Sequence, residues 1–252
     1  MDHRTYRIGQ IVPSSNITME TEVPAMLLRA RVPKDVRFTF HSSRAPMKNV
    51  SAEELAQMNS HMERCAIELT DARMDVIASA CLVAIMSQGL GFHRTVEKAL
   101  KQVTCDATPD TKILTSAGCL VDSLKAIGAK RVSLITPYMK NLTALVSEYV
   151  ENEGIEVLDT ISLEIPNNLE VGAQDPRNLL QIVNRLNTTG VDAVILSACV
   201  QMPSLAALAG AQKMFTVPVL STAAATVFQI LRSLDLPTIV PDSGDLLSGR
   251  YC

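Results

Sequence analysis

The stretch DVIASAC, residues 75–81, is repeated in outline by DAVILSAC, residues 192–199. Each stretch opens with an aspartate, continues as a short apolar run and closes on Ser-Ala-Cys. A short apolar run of this kind is typical of a strand buried on both faces of a parallel sheet. The sequence therefore predicts two equivalent buried strands that end next to Cys81 and Cys199.

Other landmarks recur at nearly the same offset, which indicates an internal duplication. Pro13 and Pro137 lie 124 positions apart, and Cys81 and Cys199 lie 118 apart. Around them, apolar strand patterns alternate with amphipathic helical patterns, so the chain has the order β-α-β-α-β-α-β twice. A chance repeat of one tripeptide would be weak evidence, but a repeat in register with the strand order is much stronger.

This alternation predicts an α/β fold with two pseudo-symmetric lobes, each a parallel four-stranded sheet flanked by helices. We expect the first lobe to comprise residues 1–114 plus 222–252, and the second residues 115–221. Ligands of such sheets bind beyond the carboxyl ends of the strands. The active site is therefore expected in the cleft between the lobes.

Local patterns predict the remaining elements. Ser51 and Glu54 form a capping box before one helical stripe that includes Cys65 and runs to Leu69. A loop is expected directly after Cys81, and residues 166–168 are expected to be loop. Residues 175–176, Asp-Pro, are typical of an N-cap and first-turn proline, and predict one helix that ends before Gly190.

Composition limits the function classes. The 252 residues are 47% apolar and 19% charged, with a net charge of -3, which is ordinary for a globular protein and disfavours a nucleic-acid partner. We expect no membrane partner, because no apolar run is long enough to span a bilayer. The first residues lack a signal-peptide pattern, so a cytoplasmic location is expected.

The six cysteines are expected to be reduced thiols, and none has the spacing of a metal site, so no metal is predicted. A single cysteine is most often a small buried hydrophobe. Only the repeated pattern favours a chemical role for Cys81 and Cys199. Cys105 and the terminal Cys252 have no such pattern.

Neutral polar residues follow the other strand ends, namely Ser14, Ser15, Asn16, Tyr138 and Asn168. Together with backbone N–H groups after the two cysteines, they would bind a small acid through amides and hydroxyls. The same environment is expected to lower the pKa of the thiols. No Asp, Glu, His, Lys or Arg adjoins either cysteine in the sequence.

Each of these residues also has an ordinary structural interpretation. Asn16 has the position of a helix N-cap, Tyr138 could simply begin a helix, and Asn168 could be a turn residue. Capping and ligand binding are compatible for Asn16.

The segments PSSN (13–16), SACLV (79–83), TPY (136–138), PNN (166–168) and SACVQMP (197–203) resemble the aspartate/glutamate racemase superfamily. Within it, the chain is similar to the family of maleate cis-trans isomerases over essentially its whole length. Amino-acid racemases of the superfamily carry an acidic residue after the first strand and a histidine after the second cysteine. Residues 14–15 and 200–201 depart from that pattern. Arylmalonate decarboxylases keep only the second cysteine, so the presence of Cys81 departs from the decarboxylase pattern.

The resemblance implies cofactor-independent isomerisation of maleate to fumarate through a covalent succinyl-cysteine intermediate. It implies that Cys81 attacks the alkene and that Cys199 is the second catalytic thiol, either as proton donor or as stabiliser of the intermediate. It also implies that maleate contacts a set of substrate-binding residues: Asn16, Leu82, Val83, Tyr138, Asn168 and Val200. Ser14 and Ser15 are further candidates.

Two other function classes stay open. One is a racemase or decarboxylase of another small carboxylic acid on the same fold. The other is a carboxylate-binding protein without catalysis, since two-lobed solute-binding proteins also clamp carboxylates between lobes. A homodimer or higher homo-oligomer is expected, because soluble enzymes commonly form them.

Overall fold

The computed structural model describes residues 4–105 and 107–251; His3 and Cys252 lie outside the described residues. Two four-stranded sheets form its centre, and every strand pair is parallel. The first sheet has the order β2-β1-β3-β4, and its strands are β1 (Arg4–Pro13), β2 (Val36–Ala45), β3 (Val76–Ser79) and β4 (Lys112–Thr115). The second has the order β6-β5-β7-β8, and its strands are β5 (Arg131–Thr136), β6 (Glu156–Ser162), β7 (Ala193–Ser197) and β8 (Val219–Ser221). The predicted fold class is confirmed.

Helices connect these strands and cover the sheets. The helices of the first half are α1 (Met19–Leu27), α2 (Ala52–Ser60), α3 (Met62–Asp71), α4 (Leu82–Met86) and α5 (Phe92–Thr104). The remaining helices are α6 (Ser116–Ala126), α7 (Lys140–Asn152), α8 (Asn168–Gly172), α9 (Leu179–Ile182), α10 (Leu205–Gln212) and α11 (Thr222–Ser233). Short 3-10 turns span Pro176–Asn178, Val183–Arg185 and Asp245–Leu247.

The aspartates that open the repeated stretches perform the same task in both halves. Asp75 Oδ2 accepts a hydrogen bond from the Arg7 N–H at 2.7 Å, and Asp192 Oδ2 accepts one from the Arg131 N–H at 2.8 Å. Each carboxylate therefore binds the first strand of its own half to the start of the third. Equivalent hydrogen bonds at equivalent positions support the internal duplication.

The strand order explains where a ligand could bind. In each sheet the chain first adds a strand on one side of β1 or β5, then crosses to the other side to form β3 or β7. A crevice opens at such a reversal, beyond the carboxyl ends of the two central strands. The residues at those ends are Asn16, Cys81, Tyr138 and Cys199, which follow β1, β3, β5 and β7.

Two helix predictions need correction. The segment after Cys81 is not a loop but the short helix α4, whose five residues are all buried. The helical stripe from Ser51 to Leu69 is two helices that break at His61 (φ -93°, ψ -7°). The break allows α2 to pack on α4 while α3 packs on the strands β1 and β2. Cys65 lies fully buried in α3, as predicted.

Predictions around residues 166–186 also need correction. Asn168 is the first residue of α8 rather than part of a loop, because Asn167 caps the helix and its Oδ1 accepts from the Leu169 N–H at 2.8 Å. Asp175 does cap the next segment through the Arg177 N–H, but that segment is a 3-10 turn, a single helical turn and another 3-10 turn. Of the predicted capping box, only the bond from the Glu54 N–H to the Ser51 hydroxyl forms.

The final helix, α11, packs against α1, α6 and β4, so the end of the chain returns to the first sheet. Because α11 also packs on α6, which belongs to the expected second lobe, these contacts do not test the expected lobe boundaries, which stay a prediction. Within residues 4–105 and 107–251, none of the helices has the length and apolar character needed to cross a membrane.

Candidate active site

Cys81 and Cys199 occupy equivalent positions in the two halves. Cys81 follows β3 and immediately precedes α4, and Cys199 follows β7 in a tight turn. The hydroxyl of Ser197 donates to the backbone carbonyls of Cys199 and Met202, at 3.1 and 3.3 Å, and thereby shapes that turn. Both cysteines are nearly inaccessible, with 3% and 4% of their surface exposed.

Tyr138 lies with the two thiols in one buried group. Its hydroxyl donates a hydrogen bond to Cys199. Burial raises the pKa of the phenol, and the two sulfurs raise it further through their negative charge when ionised. The thiols also act on each other, since an ionised Cys199 raises the pKa of Cys81. The structure thus brings together the three predicted residues that have ionisable groups.

The prediction of lowered thiol pKa values is wrong. Burial raises the pKa of the Cys81 thiol to about 12, and it also raises the pKa of Cys199. Desolvation penalises the thiolate more than the nearby N–H groups stabilise it. Neighbouring residue types indicate which N–H donors lie near a thiol, but not how completely the folded site is removed from water.

The two thiols differ in the support that an anion would receive. The Ala84 N–H favours the Cys81 thiolate. The Cys199 sulfur accepts from the Gln201 N–H at 3.2 Å, and Tyr138 and the N–H groups of Met202 and Val200 also favour its thiolate. Cys199 is therefore the better-stabilised anion of the pair.

Asn16 connects the two halves of the molecule. Its side chain is completely buried, its Nδ2 donates to the Val200 carbonyl at 3.2 Å, and its Oδ1 accepts from the Met19 N–H at 3.1 Å. The helix α1 begins at Met19 after Thr18, so Asn16 is not the N-cap residue itself, yet it satisfies the first helical N–H. Helix capping and placement in the cleft are thus combined in one side chain.

Asn168 and Ser15 meet across the same boundary. Asn168 is 4% exposed, and its Nδ2 donates to the Ser15 hydroxyl at 2.7 Å. That hydroxyl donates in turn to the Met47 carbonyl, again at 2.7 Å. Ser14 is exposed and its hydroxyl hydrogen-bonds to both backbone groups of Met47, so it positions the loop after β2.

The remaining predicted contacts are backbone and apolar surfaces. Leu82 and Val83 begin α4, where the first N–H groups of a helix lack partners within the helix. Val200 follows Cys199 directly. All three residues are at most 3% exposed. They provide apolar walls and N–H groups next to the sulfurs.

Two residues that the sequence argument did not select also shape the site. Gln201 contacts several of the site loops through its side-chain amide. Glu22, on α1, is buried and accepts from the N–H groups of Ser204 and Leu205 at 2.6 and 2.7 Å. Burial raises the pKa of the Glu22 carboxyl. Glu22 therefore attaches the start of α10, just beyond the Cys199 turn, to the first half.

A signal for Gln201 was present in the sequence. It is a polar side chain between the apolar Val200 and Met202, two positions after the second cysteine. Glu22 had no such signal, because a glutamate in the first turns of a helix is usually exposed. In the described part of the chain, no group of three or more His, Cys, Asp or Glu side chains has an arrangement that could hold a metal ion.

Comparisons with known proteins find a matching family model and similar proteins over nearly the whole chain. The family model described as arylmalonate decarboxylase matches residues 8–247. A maleate isomerase from Alcaligenes faecalis is 58% identical over 248 residues, which cover 98% of each chain.

Solved structures extend this likeness to three dimensions. A cysteine-to-alanine variant of the maleate isomerase Iso from Pseudomonas putida S16, solved with maleate, is 54% identical, covers 98% of this chain and 99% of its own, and has a TM-score of 0.94. A cysteine-to-serine mutant of the Nocardia farcinica maleate cis-trans isomerase is 44% identical, covers 97% and 99%, and has a TM-score of 0.93. That structure contains a covalently bound succinylcysteine intermediate.

Proposed function

The chain belongs to the maleate isomerase family, and on that premise we propose that this isomerase converts maleate to fumarate through a succinyl-cysteine adduct on Cys81. The observation that carries the proposal is the buried group of Cys81, Cys199 and Tyr138, which follow the strands β3, β7 and β5. Neutral amides surround it, and these suit a dicarboxylate that must be bound and released. No cofactor is required, because addition and elimination return every electron.

Bond formation begins at Cys81. Its sulfur adds to one alkene carbon of maleate, and the π electrons move onto the adjacent carboxylate as an enediolate. In the reactive form of the pair Cys199 is the thiolate, because the surrounding N–H groups and Tyr138 make it the more readily ionised thiol, and it accepts the proton that Cys81 loses. Backbone N–H groups and the hydroxyl of Tyr138 stabilise the developing charge in the manner of an oxyanion hole.

Rotation follows, because the former double bond is now a single bond. Cys199 delivers its proton to the enediolate carbon, which gives a neutral succinyl thioether centre flanked by two carboxylates. After rotation it removes the hydrogen that this carbon originally carried, as a proton, and expulsion of Cys81 regenerates a double bond in the trans geometry. Cys199 returns the proton to Cys81, so atoms, electrons and protons balance over the cycle.

In this proposal the side-chain amides of Asn16 and Asn168 bind the two carboxylates of maleate. Asn16 and Asn168 lie on opposite sides of the boundary between the halves, on the loop after β1 and at the start of α8. Each has one polar contact to the opposite half, through the Val200 carbonyl and the Ser15 hydroxyl. A dicarboxylate held between them would have the alkene over the two thiols, and the buried apolar walls would exclude water from the adduct.

Proton NMR of maleate and enzyme in heavy water tests the proposal. We expect maleate to disappear and fumarate to appear, with deuterium incorporated at the alkene carbon that Cys199 protonates. Deuterium is expected because the thiol proton exchanges with solvent between turnovers. Isomerisation without any deuterium would remove the proton-transfer role of Cys199 but keep the adduct, whereas reversible binding without turnover would favour a binding protein.

The rate is expected to rise with pH. Because burial raises the pKa of both thiols, the ionised form of the pair is scarce at neutral pH and grows about tenfold per pH unit. We expect kcat/KM to increase between about pH 6 and about pH 9 with a slope approaching one on logarithmic axes. Steady-state kinetics with maleate measures this, and a flat or falling profile across that interval would contradict the assignment.

The stability of the folded protein limits how high the pH can be raised in these kinetic measurements. A raised thiol pKa in the folded protein stabilises it below the unfolded thiol pKa of about 8.5, and that contribution is lost as the pH rises further. The free energy of unfolding is therefore expected to decline above about pH 8.5. Circular dichroism at each pH separates this loss from the gain in rate.

A further inference from the structure

We propose that Gln201 is a positioning residue that holds Asn16 and Asn168 at the separation needed to bind the two carboxylates of maleate. This inference rests on the proposed function of the site. It concerns a side chain that touches no reacting atom and acts only through the loops that it connects.

The side-chain amide of Gln201 joins three segments of the site. Its Nε2 donates to the Ser15 carbonyl at 3.0 Å and to the Asn168 carbonyl at 2.9 Å, and its Oε1 accepts from the Ile17 N–H at 3.2 Å. Both donors are used, and the residue is only 3% exposed. Ser15 and Ile17 flank Asn16 in the sequence, so Gln201 holds the backbone on both sides of one asparagine and at the other asparagine.

The backbone of Gln201 adds two further contacts. Its N–H donates to the Cys199 sulfur at 3.2 Å, and its carbonyl accepts from the Thr18 hydroxyl at 2.7 Å. The same residue therefore connects the second thiol to the loop after β1. Its backbone contacts survive any side-chain substitution, which makes the contribution of the amide separable by mutation.

Gly172 provides independent support from the opposite side of Gln201. A Cβ atom at Gly172 would lie 2.6 Å from the Gln201 Nε2, so the last residue of α8 leaves space for this amide. Both ends of α8 therefore accommodate Gln201. At the start of the helix the Asn168 carbonyl accepts its hydrogen bond, and at the end Gly172 has no side chain to occupy its space.

The chemistry of the contacts requires an amide. Two carbonyl oxygens and one N–H must be satisfied in a buried or partly buried place, and a glutamine side chain offers two donors and an acceptor in the matching positions. A carboxylate would face two carbonyls with no proton to donate, and a methionine would leave all three groups unpaired. Buried polar groups without partners are costly, so the loops are expected to move apart.

Gln201→Met is the variant that tests the proposal. We expect the KM for maleate to rise at least about tenfold while kcat changes less than about threefold, because the variant weakens binding of the ground state and transition state alike. In a Cys81→Ser background, the Kd of maleate measured by calorimetry is expected to rise by the same factor. If Gln201→Met does not fold, Gln201→Glu has the same size, keeps the acceptor for Ile17 and carries the same expectation.

Gln212→Met is the matched control. Gln212 also joins backbone groups: its Nε2 donates to the Val217 carbonyl at 2.9 Å, and its Oε1 accepts from the Val219 and Asp245 N–H groups at 2.8 and 2.9 Å. These contacts lie between α10, β8 and the C-terminal segment, away from both thiols. The control is expected to lower the Tm and leave the KM unchanged.

The outcomes separate the two proposals. A KM unchanged in Gln201→Met, or raised equally in Gln212→Met, overturns the positioning role while the proposed function stands. A wild-type protein that neither binds nor converts maleate overturns the proposed function and the positioning role with it.

Discussion

Cys81→Ser is expected to lower kcat for maleate isomerisation by at least about 10⁴-fold, with the protein still folded. The hydroxyl fits in the same space, but it is a far weaker nucleophile and is harder to ionise than a thiol that already has a pKa of about 12. At pH 7, ionising that thiol directly would cost about 7 kcal/mol, at roughly 1.4 kcal/mol per pH unit. A serine would add to that cost, and the site has no means of compensating for it.

Cys119→Ser is the matched control for this variant. Cys119 is also a buried thiol, and burial raises its pKa well above the usual value, but it lies on α6 and its thiol interacts with Thr226 rather than with the site. The control is expected to keep kcat within about threefold of the wild type. Intact-protein mass spectrometry after mixing with maleate should show an adduct of one maleate in the wild type and none in Cys81→Ser. Full activity in Cys81→Ser would exclude Cys81 as the nucleophile.

Cys199→Ala is expected to lower kcat by about 10²- to 10⁴-fold, the range for loss of a positioned acid or base. The sulfur of Cys199 is the group that accepts and returns the proton, and its removal leaves the Gln201 N–H and the Tyr138 hydroxyl without their acceptor. We expect the Cys81 adduct both to form and to break down slowly, because Cys199 accepts the Cys81 proton, protonates the enediolate and later removes a proton from the same carbon. Peptide mapping after rapid acid quench locates the adduct.

Cys199→Ser distinguishes the two roles that Cys199 could have. A serine hydroxyl keeps the hydrogen bonds but does not ionise in the accessible pH range. If Cys199 only stabilises the intermediate by hydrogen bonding, the serine variant should recover most of the activity lost in Cys199→Ala. If Cys199 transfers the proton, both variants should be equally slow. Wild-type rates in Cys199→Ala would contradict either role.

Much of the architecture could be predicted because its signals are local and repeated. The apolar runs before Cys81 and Cys199 identified the third strand of each half. The break at His61 could not be predicted, because α2 and α3 continue one apolar stripe and separate only where they pack on different neighbours. Helix α4 was missed since five consecutive buried residues have no helical periodicity.

The state of the thiols could not be predicted from neighbouring residue types. Counting N–H donors around the cysteines favoured a lowered pKa, but the balance depends on solvent exclusion, which is a property of the assembled cleft. The same is true of Gln201 and Glu22. Gln201 contacts Ile17 and Glu22 contacts Ser204, and each pair is separated by more than 180 residues in the sequence. A local sequence pattern cannot predict a contact over such a separation.

The sequence alone determined the duplicated α/β architecture and the strand ends at which Cys81 and Cys199 occur. Strand periodicity and turn residues are local signals, and a repeat can be found by comparing the chain with itself. These features can therefore be identified from the sequence alone. Only the tertiary structure decided that the thiols share one buried group with Tyr138, that burial raises their pKa, and that Gln201 joins the loops around Asn16 and Asn168. These properties depend on distances and solvent exclusion between segments from opposite halves, which exist only once the two sheets have packed together.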